Sequence, residues 1–85
     1  MKKVVIYTAR LCAHCDWAKE LLSKKNVKFI EHNIEKDSSK MEEMLKKSNG
    51  VKTVPQIFIG AHHVGGNAEL QDLEHKGKLD NLLKN

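Results

Sequence analysis

Val4-Val5-Ile6-Tyr7-Thr8-Ala9-Arg10-Leu11-Cys12-Ala13-His14-Cys15 joins a short apolar run to two cysteines separated by two residues. Val4 to Tyr7 is a continuous β-branched and aromatic stretch, which suits a strand buried on both faces. Cys12 and Cys15 open the helical spacing that follows, and they are the only 2 cysteines in the chain. A disulfide across so short a loop removes little entropy from the unfolded chain. As a structural staple the pair is therefore weak. It reads either as a reversible dithiol/disulfide couple or as half of a metal site.

Working outward, Trp17, Ala18, Leu21 and Leu22 fall on one helical stripe, with Lys19, Lys24 and Lys25 outside it. This spacing places Trp17 in the core. Asn26 is a stop signal, and the alternation from Val27 to Ile34 predicts a second strand. Asp37-Ser38-Ser39 offers helix caps, and Ser39 with Glu42 has capping-box spacing. Met41, Met44 and Leu45 form the stripe of that second helix, which ends near Asn49-Gly50. Ile57-Phe58-Ile59 is a third strand, and Gly60-Ala61 turns into a fourth around His62 to Val64. Gly65-Gly66 breaks it. A final helix carries Leu70 and Leu73, is interrupted at Gly77, and ends with Leu79, Leu82 and Leu83. The order β-α-β-α-β-β-α predicts an α/β fold with a right-handed parallel crossover early and an antiparallel pair late.

A chain of 85 residues, 40% of them hydrophobic, is expected to form a single domain over residues 1–85. At this size folding buries roughly 60–65% of the unfolded surface. Lys2 and Lys3 mimic the start of a secretory signal, but the apolar run after them is far too short to complete one. No stretch approaches the ~20 apolar residues of a membrane span. A cytoplasmic protein with no membrane partner is the expectation, and there thiols are kept reduced. The net charge of +4 comes from lysines scattered along the chain, and aromatics are only 5%. Neither a dense basic patch nor a stacking platform is visible, so nucleic acid is not an expected partner.

The chain resembles the glutaredoxins, within the thioredoxin superfamily. Tyr7-Thr8 before Cys12-Ala13-His14-Cys15, then Thr53-Val54-Pro55-Gln56-Ile57-Phe58-Ile59, then Gly65-Gly66 carry the likeness. Their spacing matches across nearly the whole chain, and the single strand before the cysteines is similar to small bacterial glutaredoxins. The resemblance implies a thioredoxin-like fold, with a central four-stranded mixed sheet flanked by helices. It also implies a glutathione-dependent thiol-disulfide oxidoreductase. Expected partners are glutathione as co-substrate, glutathionylated proteins and disulfide-containing proteins, with no tightly bound cofactor and a monomeric state. The chain departs from the family where Ala13 and His14 replace Pro and Tyr, where Asn67, Ala68 and Glu69 replace Cys or Ser and two Asp, and where Ala9 replaces a basic residue.

The chemistry divides between the cysteines. Cys12 at a helix N-terminus meets free N–H groups and the macrodipole, which favour its thiolate and make it the nucleophile. Cys15, one turn deeper on the same face, is shielded and suits a resolving thiol. His14 as imidazolium would favour the Cys12 thiolate further. By resemblance, Pro55 is cis and turns the Val54 backbone, with Thr53, toward Cys12, where an extended peptide pairs as an added strand. Gly66 lets the backbone approach a ligand, and the N–H groups of Asn67 and Ala68 form a carboxylate site. The resemblance assigns that site to the γ-glutamyl carboxylate, Glu69 to its ammonium, and Arg10 to the glycyl carboxylate. His62 and His63 point to opposite faces of a strand, and no second C-x-x-C or H-x3-H supports a metal. Two other readings stay open: a redoxin reduced by thioredoxin reductase, and a carrier of a glutathione-ligated [2Fe–2S] cluster.

Overall fold

The structure is a computed structural model and describes residues 1–84. Its elements are β1 (Val4–Thr8), α1 (Ala13–Lys24), β2 (Ile30–Asn33), α2 (Ser38–Lys47), β3 (Gln56–Ile59), β4 (His62–Gly65), α3 (Asn67–His75) and α4 (Leu79–Leu83). The strands form one 4-stranded sheet in the order β2-β1-β3-β4. β1 pairs parallel with β2, Val5 opposite Ile30, and antiparallel with β3, Val5 opposite Phe58. β3 and β4 are antiparallel. The mixed sheet and the early parallel crossover are as expected, and the interruption at Gly77 separates α3 from α4.

Successive residues of β1 supply two different cores, because side chains alternate across a strand. Val4 and Ile6 join Ile57 and Ile59 under Ala18 and Leu22 of α1, Leu70 of α3 and Leu79 and Leu83 of α4. Val5, Tyr7 and Phe58 face the other way, onto Met44 of α2. With both faces covered, every residue of β1 is buried. That explains an apolar run without polar alternation. Each large side chain removed from water in this way contributes roughly 1.5–3 kcal/mol.

Three helices stop by the same device. Asn26, Asn49 and Gly77 take φ of 58°, 59° and 71°, just past α1, α2 and α3. The following residue then reaches back across the last turn: Val27 N–H to Leu22 O, Gly50 N–H to Leu45 O, and Lys78 N–H to Leu73 O. This is the Schellman pattern, and it satisfies carbonyls that a helix end leaves free. It also corrects the second strand. Val27 donates its N–H to the end of α1, so it is lost to the sheet, and pairing with β1 begins only at Ile30.

Two further expectations are corrected. Asp37, not Ser39, caps α2: its Oδ1 accepts the Ser39 N–H at 2.9 Å and the Ser39 hydroxyl at 2.6 Å. A carboxylate makes the stronger, charge-assisted cap, and the helix therefore starts one residue before Ser39. Trp17 is 53% exposed, whereas Cys15, Ala18 and Leu22 are within 1% of full burial. Those three lie at i, i+3 and i+7, the inner line of α1. Trp17 sits beside that line, and its ring meets the edge of His14, with centroids 5.1 Å apart.

Polar side chains tie the layers together. The Thr8 hydroxyl donates to Glu31 Oε2 at 2.7 Å, and Lys19 Nζ reaches the same oxygen at 3.0 Å. On the other face the buried Tyr7 hydroxyl donates to the Glu43 carboxylate and accepts from Lys47 Nζ at 3.2 Å. That hydroxyl, with Lys40, holds Glu43 below its usual pKa, while burial and the Glu43 carboxylate push Tyr7 upward. Glu31 is lowered despite burial, through Thr8 and Lys19.

Leu22→Ala is expected to cost about 2–5 kcal/mol by emptying the core, and Trp17→Gln less than about 1 kcal/mol; urea unfolding of the two variants checks this. The lowered carboxylates contribute stability above their unfolded pKa, near 4.3, and lose it as pH falls further. Tyr7 is the opposite case: its contribution is whole below about pH 10 and is lost as pH rises beyond it. Urea midpoints measured across pH should show a plateau with both limbs. Glu43→Gln is expected to soften the acid limb, and Tyr7→Phe both.

Candidate active site

β1 ends at Thr8, and the chain turns at Leu11, whose φ is 54° and whose side chain is 90% exposed. That left-handed turn, uncommon for a leucine, brings Cys12 to the N-cap of α1 with an extended backbone. Cys12 Sγ accepts the Cys15 N–H at 3.0 Å. The two cysteines are joined as a disulfide, with Cα atoms 5.2 Å apart. Cys15 is 1% exposed and lies among the core residues of α1, while Cys12 is only partly covered. An incoming nucleophile therefore meets the Cys12 sulfur. After reduction the same N–H, with the free N–H groups of the first turn, faces the sulfur where negative charge develops.

Beside this pair runs a groove of about 400 Å³. One wall is Thr53, Val54 and Pro55, with the Val54–Pro55 bond cis. The Val54 carbonyl oxygen lies 3.9 Å from Cys12 Sγ. The other wall is the start of α3: Gly66, Asn67, Ala68 and Glu69. His14 closes one side. The structure thus brings together every residue expected at a peptide-binding groove except Arg10. Arg10 is exposed and lines a separate depression with Asn33, Glu35 and Lys36, and its N–H is held by Glu35 Oε1 at 2.7 Å. The turn at Leu11 separates it from the groove.

Three of the assembled side chains have local duties. Glu69 Oε1 accepts the Gly66 N–H at 2.6 Å, which caps the first turn of α3. The N–H groups left for an anion at this helix start are those of Asn67, Ala68 and Glu69. Gly65 takes φ of 112°, a backbone angle that strains any residue but glycine, and a Cβ there would also stand 2.9 Å from Glu69 Oε1. His14 Nδ1 lies 3.3 Å from Asn67 Nδ2, and Asn67 Oδ1 accepts from Gln71 Nε2 at 3.0 Å. In that chain of donors the Asn67 amide NH2 faces His14 Nδ1, which accepts. His14 therefore links α1 to α3, and among the described residues it makes no hydrogen bond to either sulfur.

Sequence reasoning missed Gln56 and His63, which also line the groove. Gln56 is 3% exposed, and a polar residue heading an apolar strand was the available signal, since a buried amide demands partners. His62 is exposed and His63 half-buried, on opposite sides of β4 as the strand period requires. Among the described residues no 3 His, Cys, Asp or Glu side chains cluster as metal ligands, and no helix is long and apolar enough to cross a membrane.

The glutaredoxin family model matches residues 4–64. Glutaredoxin 3 of Escherichia coli K12 is 51% identical over 84 residues, covering 99% of this chain and 100% of the relative. Glutaredoxin 1 of Rickettsia conorii is 47% identical over 83 residues, covering 96% of this chain and 81% of the relative. The solution structure of a glutaredoxin from Brucella melitensis is similar with a TM-score of 0.83 at 45% identity, covering 99% of this chain and 90% of that one. With its accessible outer sulfur, buried inner sulfur and these relatives, the chain belongs to the glutaredoxin family and is a thiol–disulfide oxidoreductase.

Proposed function

We propose that the protein is a glutathione-dependent reductase of glutathione mixed disulfides and of protein disulfides. The observation that carries this reading is the junction of the Cys12 sulfur with a groove that suits a short γ-glutamyl peptide. Val54 presents main-chain groups next to the sulfur, for pairing as an added strand. At the far wall the N–H groups of Asn67 and Ala68, at the positive end of α3, suit a carboxylate. Glu69 has one carboxylate oxygen on Gly66, and its second is free to face an ammonium.

The reaction follows from the asymmetry of the cysteines. Cys12 thiolate attacks the glutathione sulfur of the mixed disulfide, and the target leaves as its thiolate and takes a proton. A second glutathione thiolate then attacks the glutathione sulfur of the Cys12 mixed disulfide, releasing oxidised glutathione and regenerating the Cys12 thiolate. For an internal disulfide of a target protein, Cys12 first forms a mixed disulfide with one target sulfur. Cys15 attacks the Cys12 sulfur and expels the reduced target, leaving the Cys12–Cys15 disulfide seen in the structure. Two glutathiones return it to the dithiol.

Turnover of a small glutathione mixed disulfide, coupled to glutathione reductase, tests the reading. Wild type and Cys15→Ser are expected to be active, and Cys12→Ser to fall by more than about a thousandfold. Wild type inactive with glutathione, yet reduced by thioredoxin reductase, would overturn it. Ala68 lies at the groove with no charge to offer. Ala68→Asp is expected to lower the KM for the mixed disulfide by about two- to fivefold, the worth of one exposed ion pair, with kcat little changed.

A further inference from the structure

Gln56 opens β3 and its side-chain amide is buried. Nε2 donates to the Thr53 carbonyl oxygen at 2.9 Å and lies 3.2 Å from Thr53 Oγ1. Oε1 meets His63 Nε2 at 2.7 Å. With the proton on His63 Nε2, each of these contacts has a donor facing an acceptor. The Thr53 carbonyl can only accept, so it draws the amide NH2 to itself, and Oε1 is left to take the His63 Nε2–H, which holds the amide in place. His63 is itself held, stacked on Phe58 at 4.7 Å with the rings 17° from parallel. Phe58 in turn carries Lys47 Nζ at 4.4 Å from its centroid.

The Thr53 carbonyl belongs to the same peptide plane as the Val54 N–H. That peptide is trans, so the two groups point in opposite directions. Holding the carbonyl inward on Gln56 therefore aims the Val54 N–H away from Gln56. We infer that Gln56, anchored by His63, is a positioning residue. It fixes the Thr53–Val54 peptide plane so that the Val54 main chain is ready to pair with the backbone of a bound γ-glutamyl peptide. The inference rests on the glutathione reading above and assigns part of its binding energy to two side chains with no charge aimed at the ligand. Preorganisation of this kind acts on affinity, since an unheld peptide plane must be ordered when the ligand binds.

The test compares wild type, Gln56→Met, Gln56→Glu and His63→Phe. Met keeps the length and apolar packing but donates nothing. Glu keeps the shape but turns a carboxylate oxygen toward the Thr53 carbonyl. Phe preserves the stack on Phe58 but removes the hydrogen bond that anchors Gln56 Oε1. Steady-state kinetics with a peptide–glutathione mixed disulfide are read beside the alkylation rate of Cys12 by iodoacetamide, which needs no peptide pairing. KM is expected to rise about tenfold in Gln56→Met and at least as much in Gln56→Glu. His63→Phe should raise it about threefold. Alkylation should stay within about twofold of wild type in all three. KM unchanged in both Gln56 variants overturns the inference. So does a parallel change in KM and alkylation, which marks a merely structural residue. If Gln56→Met does not fold, Gln56→Glu decides alone. Wild type that alkylates normally but does not turn over the mixed disulfide overturns the glutathione reading, and this inference with it.

Discussion

Strand β1 has neither a free face nor a free edge. Its main-chain groups pair with β2 on one side and β3 on the other, and its side chains are divided between the α1–α3–α4 core and the α2 core. A buried backbone tolerates no unpaired polar group, so the strand leaves little freedom to anything attached to it. The segment from Thr8 to Cys12 hangs from its C-terminal end, and the sulfur is placed by that strand as much as by the helix it caps. The outer wall of the groove depends on the same anchor, because β3 is paired to β1 and carries the Thr53–Pro55 loop at its head.

Two helix N-termini and one loop meet at this corner. Neither sulfur, nor the N–H groups of Asn67 and Ala68, needs a lysine to make the place favourable for negative charge. The partial charges of α1 and α3 supply it, and they are fixed in position rather than carried on flexible side chains. The 15 Lys and Arg residues are spread over the remaining surface, where several meet acidic neighbours in exposed pairs such as Lys24–Glu20 and Lys76–Asp72. Such pairs contribute little stability.

Much of this was legible in the sequence because it is local. A continuous apolar run predicted β1. The cysteine spacing predicted an outer and an inner sulfur, and Asn26, Asn49 and Gly77 marked helix ends by a backbone angle that few residues accept. What escaped notice depends on partners distant in the chain. Helical periodicity gives an angle around an axis but not which neighbours wait there, so Trp17 was assigned to the core when the inner line passes through Ala18. Val27 looked like strand until the end of α1 claimed its N–H. Asp37 and Ser39 are both good caps, and the Asp37 carboxylate takes both the N–H and the hydroxyl of Ser39, which occupies the rival's own side chain. His14 and Asn67 are 53 residues apart, and no local pattern foretells that they meet. Arg10 enters by resemblance alone, and in the structure it lines a depression with Asn33, Glu35 and Lys36.

The contact between the Cys15 N–H and the Cys12 sulfur has an evolutionary side. The donor belongs to the main chain, so no exchange of the side chains at Ala13 or His14 can remove it while the helix stands. Those two positions are thereby released from the duty of supporting the reactive sulfur. They can drift, and with them the fit to different targets and the ease with which the disulfide is reduced, without the chemistry being lost on the way. A lineage can explore the middle of its own active-site motif at low risk, because the part that must not change is written in the backbone.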